Sequence, residues 1–189
     1  MKKKRTIIAA VVLSLVLVVG GAIAYFTDTD TETNTFTLGN VSIDLQEPSW
    51  VAANAQDILP GDSVAKDPQI LNDGAIDAFV FLKITEPCYN GATIFDFTPN
   101  SAWTAVGTAR TCNGSTAETV YGYGTSSAMT TLASNATTPA LFSTVTLKST
   151  LDDAAVSSFS TGANIVVDAY GIQADNVTGT PAQIFANFS

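Results

Sequence analysis

The sequence predicts an all-β sandwich standing behind a helical export signal. Three observations carry this reading. Short apolar or alternating segments recur between turn-forming residues, and no amphipathic helix of useful length separates them. The one long apolar run sits at the N-terminus, directly after four basic residues.

That run comes first in the chain. Lys2, Lys3, Lys4 and Arg5 precede Ile7 to Val19, which only Ser14 interrupts, and Gly20-Gly21 leads into Ala22-Ile23-Ala24. Basic, apolar and A-x-A segments in this order read as a signal peptide over residues 1–24, cut between Ala24 and Tyr25. The positive charge holds the start on the cytoplasmic side while the apolar core enters the membrane, and the small side chains of Ala22 and Ala24 fit narrow peptidase pockets. An uncleaved anchor is the competing reading, because a span needs about 20 apolar residues. The glycine pair just before the small-residue site favours cleavage, so membrane contact is expected only through the uncut signal. No second apolar anchor and no LPxTG-like sorting motif is expected at the other end.

Cleavage changes the charge balance. All four basic residues of the signal leave, and Lys66, Lys83, Arg110 and Lys148 remain against 17 acidic residues, a net charge of −13. Such a chain repels its own copies at long range and offers no basic patch for nucleic acid. Cys88 and Cys112, in an exported domain, read as a disulfide; the alternative is two separate thiols. The chain contains no His, which removes Ser-His-Asp and Cys-His catalysis, His-ligated zinc and the H-E-x-x-H peptidase motif together. Neither a cofactor nor a metal is expected.

Residues 25–37 (YFTDTDTETNTFT) form an extended arm. In extended form Asp28, Asp30, Glu32 and Asn34 share one face, and Thr27, Thr29, Thr31, Thr33 and Thr35 share the other. The acids invite a calcium reading, but the EF-hand pattern fails, with no Gly at the sixth place and no Glu at the twelfth. A solvated acidic face on a strand that pairs along an edge or with another molecule fits better.

The sandwich domain then occupies residues 38–189. Val41, Ile43 and Leu45 alternate with Ser42, Asp44 and Gln46, giving a half-buried strand. Glu47 to Asp57 is a connection, Leu59-Pro60-Gly61-Asp62 a turn, and Val64 to Leu71 one short extended piece ending at Asn72-Asp73-Gly74. Ala78 to Ile84 is the most apolar strand. Short strands around Phe95, Phe97, Trp103 and Val106 lie between the cysteines, and the strand at Val120 to Tyr123 is expected to break at Gly122 and Gly124. Thr125 to Leu141 is a small-residue connection with an apolar element at Met129 to Leu132. Leu141 to Leu147 is a strand, Asp152-Asp153 a turn, and Asn164 to Ala174 the long last strand. Thr180 caps a short helix with Pro181 at its first position.

Several of these blocks together resemble the TasA/camelysin family. The blocks are AIA-YFTDTDTETNTFTLGNVSIDLQEP, LPGDSVAKDPQILNDGAIDAFVFLKI, TLASNATTPALFSTVTL and VVDAYGIQADNV, of which the first and last are the more specific. The resemblance implies a jelly-roll-like β-sandwich, cut by a SipW-like signal peptidase and secreted to the extracellular matrix or cell surface. It further implies a head-to-tail homopolymer in biofilm fibres, with Tyr25, Phe26, Thr27, Asp28, Thr29, Asp30, Thr31, Glu32 and Phe36 forming the donor strand that enters the next subunit. Other matrix components are further partners on this reading. A monomeric surface or adhesion protein is the alternative. A camelysin-like metallopeptidase is the weakest reading, because the chain has no His to hold zinc. The segment between Cys88 and Cys112 has no counterpart in the family pattern.

Overall fold

The computed structural model describes residues 39–188. The expected signal helix (1–24) and arm (25–37) lie outside the described residues.

Eleven strands run through this part: β1 (Ile43–Gln46), β2 (Ser63–Ala65), β3 (Gln69–Asn72), β4 (Ala78–Tyr89), β5 (Ala92–Thr93), β6 (Phe95–Asp96), β7 (Trp103–Val106), β8 (Cys112–Asn113), β9 (Thr116–Tyr123), β10 (Thr144–Leu147) and β11 (Val166–Gln173). All their pairings are antiparallel. One sheet has the order β11-β4-β9-β7, with β5 hairpinned onto β4 and β8 onto β9. Two smaller ladders, β2-β10-β6 and β1-β3, form the opposite layer. Between the layers lie Val80, Leu82 and Ile84 of β4, Tyr121 of β9, Ile70 of β3 and Val145 of β10. This is the expected all-β sandwich.

The alternation of β4 explains both of its faces. Val80, Leu82 and Ile84 point into the sandwich, whereas Phe81 points outward and is nonetheless fully buried. It is covered by the C-terminal helix α2 (Pro181–Phe185) and the 3₁₀ turn Ala186–Phe188, whose Phe185 and Phe188 rings lie 5.2 and 6.0 Å from it. Thr180 caps this helix as expected and Gln183 closes a capping box.

Four expectations are corrected. The piece from Val64 to Leu71 is two strands in two different ladders, β2 and β3, because Pro68 has no N–H for a ladder and the chain passes from one ladder to the other there. Strand β4 runs on to Tyr89. Its Pro87 is tolerated because its nitrogen faces the side on which β11 has already ended, past the Thr85–Val166 pair. Strand β9 passes unbroken through Gly122, where a Cβ would lie 3.0 Å from the Met129 sulfur and 3.3 Å from the Phe81 ring. It stops at Gly124, whose φ of +142° disfavours any side chain. Asp152 and Asp153 do not form a plain turn: they open the short helix α1 (Asp153–Ser158), with the Asp152 carboxylate accepting from the Ala155 N–H at 2.8 Å.

One buried side chain organises the turn after β3. Asn72 is fully buried, donates to the Ile76 and Leu132 carbonyls at 2.9 and 3.0 Å, and accepts from the Gly74 N–H at 3.1 Å. Asn72→Leu keeps the volume but strips the Ile76 carbonyl of its partner, while the Leu132 carbonyl and the Gly74 N–H keep only their bonds to the Ala78 N–H and the Ser42 carbonyl, at a cost of about 1–3 kcal/mol. Thermal melting should drop by several degrees; a wild-type melting point would contradict this account of the turn.

Candidate functional site

The longest open edge among the described residues is that of β11. Its register against β4 runs from Val166 opposite Thr85 to Gln173 opposite Ala78, and the ladder continues with Ala174 N–H donating to the Asp77 carbonyl at 2.9 Å. In an antiparallel ladder such bonding alternates. Val166, Asp168, Tyr170 and Ile172 therefore bond to β4, and Val167, Ala169, Gly171 and Gln173 turn their N–H and C=O groups to the other side. No strand among the described residues pairs with that side. An open row of this kind is a template for a further strand.

The two faces of β11 are occupied. Tyr170 packs outward against Phe185 and Phe188, at 5.3 Å from each ring. Asp168 takes an ion pair from Lys83 at 3.2 Å. On the inner side β1 crosses close to Gly171, where an added Cβ would meet Ile43 Cγ2 at 3.0 Å. Any new partner of β11 must therefore come in along the edge.

The remaining cations are also committed. Lys66 pairs with Glu47 at 2.6 Å, Arg110 with Glu86 at 2.8 Å and Lys148 with Asp96 at 3.6 Å. All four basic residues outside the expected signal are thus ion-paired. An acidic segment approaching this surface meets no unpaired cation among the described residues.

A second feature is the corner where the layers meet. Cys88 and Cys112 form the expected disulfide, with their Cα atoms 6.1 Å apart. Two residues before each cysteine sits a partner of a buried ion pair. Glu86 is 1% exposed, and Arg110, at φ +51°, delivers its guanidinium to it. The same guanidinium donates to the Phe95 carbonyl and to Thr93 Oγ1, and lies 4.3 Å from the centre of the Phe97 ring. Arg110 therefore ties the loop ahead of β8 to β6 in the opposite layer. Sequence reasoning missed this pair: its members are 24 residues apart and nothing in their local pattern joins them.

Two protonation equilibria follow from this packing. Burial pushes the Tyr121 phenol above its usual range; the nearby Arg110 charge opposes the shift and Glu86 adds to it. Lys83 is raised as well, first by its hydrogen bond with Asp168 and against the effect of burial. Both groups hold their protons to higher pH when folded than when unfolded. Their stabilisation is complete below about pH 10 and is lost as pH climbs beyond it. Melting against pH should show a falling alkaline limb that flattens in Tyr121→Phe; an unchanged limb would contradict the assignment.

Of the residues singled out from sequence, Ala22, Ala24, Tyr25, Phe26, Thr27, Asp28, Thr29, Asp30, Thr31, Glu32 and Phe36 lie outside the described residues. Asp152 caps the short helix α1 and Asp153 lies in its first turn. No helix among the described residues is long and apolar enough to cross a membrane.

The geometry defines a β-sandwich with one long edge that no strand among the described residues pairs. The family described as camelysin metallo-endopeptidase matches residues 1–87, from the first residue to the position just before Cys88. The chain is also 36% identical over 77 residues to the major biofilm matrix component of Bacillus subtilis (strain 168), a match covering 40% of this chain and 29% of that protein. This chain thus matches under a third of the relative's length. Both findings bear out the resemblance to the TasA/camelysin family.

The family's description implies a catalytic metal, and the described residues do not fit one. The sequence holds no His, both cysteines are tied in the disulfide, and no three acidic or cysteine side chains converge among the described residues.

Proposed function

We propose that this chain is an exported structural protein that polymerises head to tail in an extracellular matrix, the arm of one copy adding as a strand to β11 of the next. The observation that carries this reading is the row at Val167, Ala169, Gly171 and Gln173, open among the described residues, on a strand packed on both of its faces. Strand addition draws its affinity from backbone hydrogen bonds, which suits an acidic arm facing a surface without free cations. A contact between two different surfaces leaves one of each open at the ends, so the product is a filament. The likeness to a biofilm matrix component supports the extracellular setting, and the signal peptide, cut by a SipW-like peptidase after Ala24, supplies the route. The role is non-enzymatic, in keeping with a chain that cannot assemble a His-ligated zinc site.

The test is electron microscopy of the mature chain, residues 25–189, beside a chain lacking residues 25–37. Fibres from the first and monomers from the second are expected. Monomers from both under all salt and pH conditions would contradict the proposal, as would chelator-sensitive casein cleavage by the purified chain for its non-enzymatic part.

A further inference from the structure

An apolar recess of about 140 Å³ opens where β11 begins, lined by Trp50, Ala55, Ile58, Phe95, Val145 and Ile165 among others. It is smaller than the roughly 300–1,000 Å³ of small-molecule pockets, and has about the bulk of a single aromatic side chain. Its surroundings are unusual for this domain. Trp50, one of the five large hydrophobic residues left exposed among the described residues, lines it, and Val51, Leu59 and Val166 are chain neighbours of its lining residues. An exposed tryptophan ring beside an apolar recess marks an interaction surface. Lys66, which also lines it, is neutralised by Glu47 and sits 4.8 Å over the Trp50 ring, so the recess attracts by apolar contact and not by charge.

We propose that this recess is an anchor pocket for the arm of a second copy and that it takes the side chain of Tyr25. The inference rests on the strand-addition reading above and adds to it the residue that fixes register. Ile165 lines the recess and Val166 starts the open edge, so a strand paired along β11 runs off its end into the recess. Side-chain parity then selects the occupant. The arm's acids Asp28, Asp30 and Glu32 must face water, because the sandwich interior is apolar and no free cation awaits them. The Thr face therefore points inward. Among the arm's aromatic residues only Tyr25 shares that face; Phe26 and Phe36 lie on the acidic one. With Tyr25 in the recess the arm runs parallel to β11, and Thr33 falls beside Gln173. A tyrosine fits such a site, its ring among apolar groups and its hydroxyl toward the polar rim. Because Tyr25 is the residue that cleavage after Ala24 exposes, the pocket accepts only processed chains.

The experiment measures fibre growth by light scattering and electron microscopy for the mature chain and four variants, with melting of each monomer as the control for folding. Tyr25→Ala and the recess-filling Ala163→Phe should each slow growth roughly tenfold or more, as loss of an interface anchor does, with melting unchanged. Tyr25→Phe keeps the anchor ring and should restore most of the growth that Tyr25→Ala loses, and Phe36→Ala should slow growth less than Tyr25→Ala does. If the parent forms fibres and Tyr25→Ala grows equally well, the pocket assignment fails while strand addition stands. If Phe36→Ala is the more impaired variant, the parity argument is wrong. If Tyr25→Ala monomers melt lower at high dilution, the arm fills its own subunit's recess and the second-copy assignment is overturned. A parent that never forms fibres overturns both readings.

Discussion

Ala169→Pro is expected to stop fibre growth while leaving the domain folded. The reason is positional. Ala169 lies opposite Leu82 in the register, and its N–H turns to the open side of β11, so proline removes no bond to β4. What it removes is a donor that an incoming strand needs, and the ring adds bulk on the same edge. One lost backbone bond at about 0.5–1.5 kcal/mol is already close to tenfold in affinity, and the ring makes the effect larger. Tyr170→Pro is the contrasting variant. Its N–H belongs to the ladder with Phe81, and its ring packs on Phe185 and Phe188. That substitution should destabilise the monomer itself. If Ala169→Pro assembled normally, β11 would not be the accepting edge.

Arg110→Met is expected to be the most destabilising single change in the domain. Glu86 is almost wholly enclosed, and Arg110 is its ion-pair partner as well as a link to β6. Removing one member of a buried pair typically costs about 3–5 kcal/mol, because the other charge is left in an apolar setting. For a domain of this size that is on the order of 10 °C in melting temperature. The double variant Arg110→Met/Glu86→Leu should recover most of the loss. Reducing the disulfide should cost about 3 kcal/mol from loop entropy alone. It should cost more in the parent than in the double variant, since the bridge also holds Arg110 in place. Additive costs would show that the bridge and the ion pair act independently.

These two sites differ in how visible they were in the sequence. Strands β1, β4 and β11 are legible because their apolar residues alternate or run unbroken between turn residues, and period-2 patterning is local information. The disulfide was legible from the export setting of two cysteines. The α2 cap was legible because Thr180 and Pro181 are adjacent. What stayed hidden is non-local. Nothing around Val64 to Leu71 announces that the chain changes ladder at Pro68, and Gly122 reads as a strand breaker until Phe81 and Met129 are seen packed over it. The Glu86–Arg110 pair depends on the β4–β9 register and the loop before β8, neither of which is a pattern in neighbouring residues. The open edge of β11 was also invisible. A strand's sequence states that it pairs, but not on how many sides.

The central claim is that an arm pairs with that edge, and amide hydrogen exchange reads it residue by residue. Val167, Ala169, Gly171 and Gln173 should exchange fast in the dispersed mature monomer and become protected in fibres, while Asp168, Tyr170 and Ile172 stay protected in both. Fast exchange at Val167, Ala169, Gly171 and Gln173 in well-formed fibres would contradict the account, because the subunits would then be held together somewhere other than at β11.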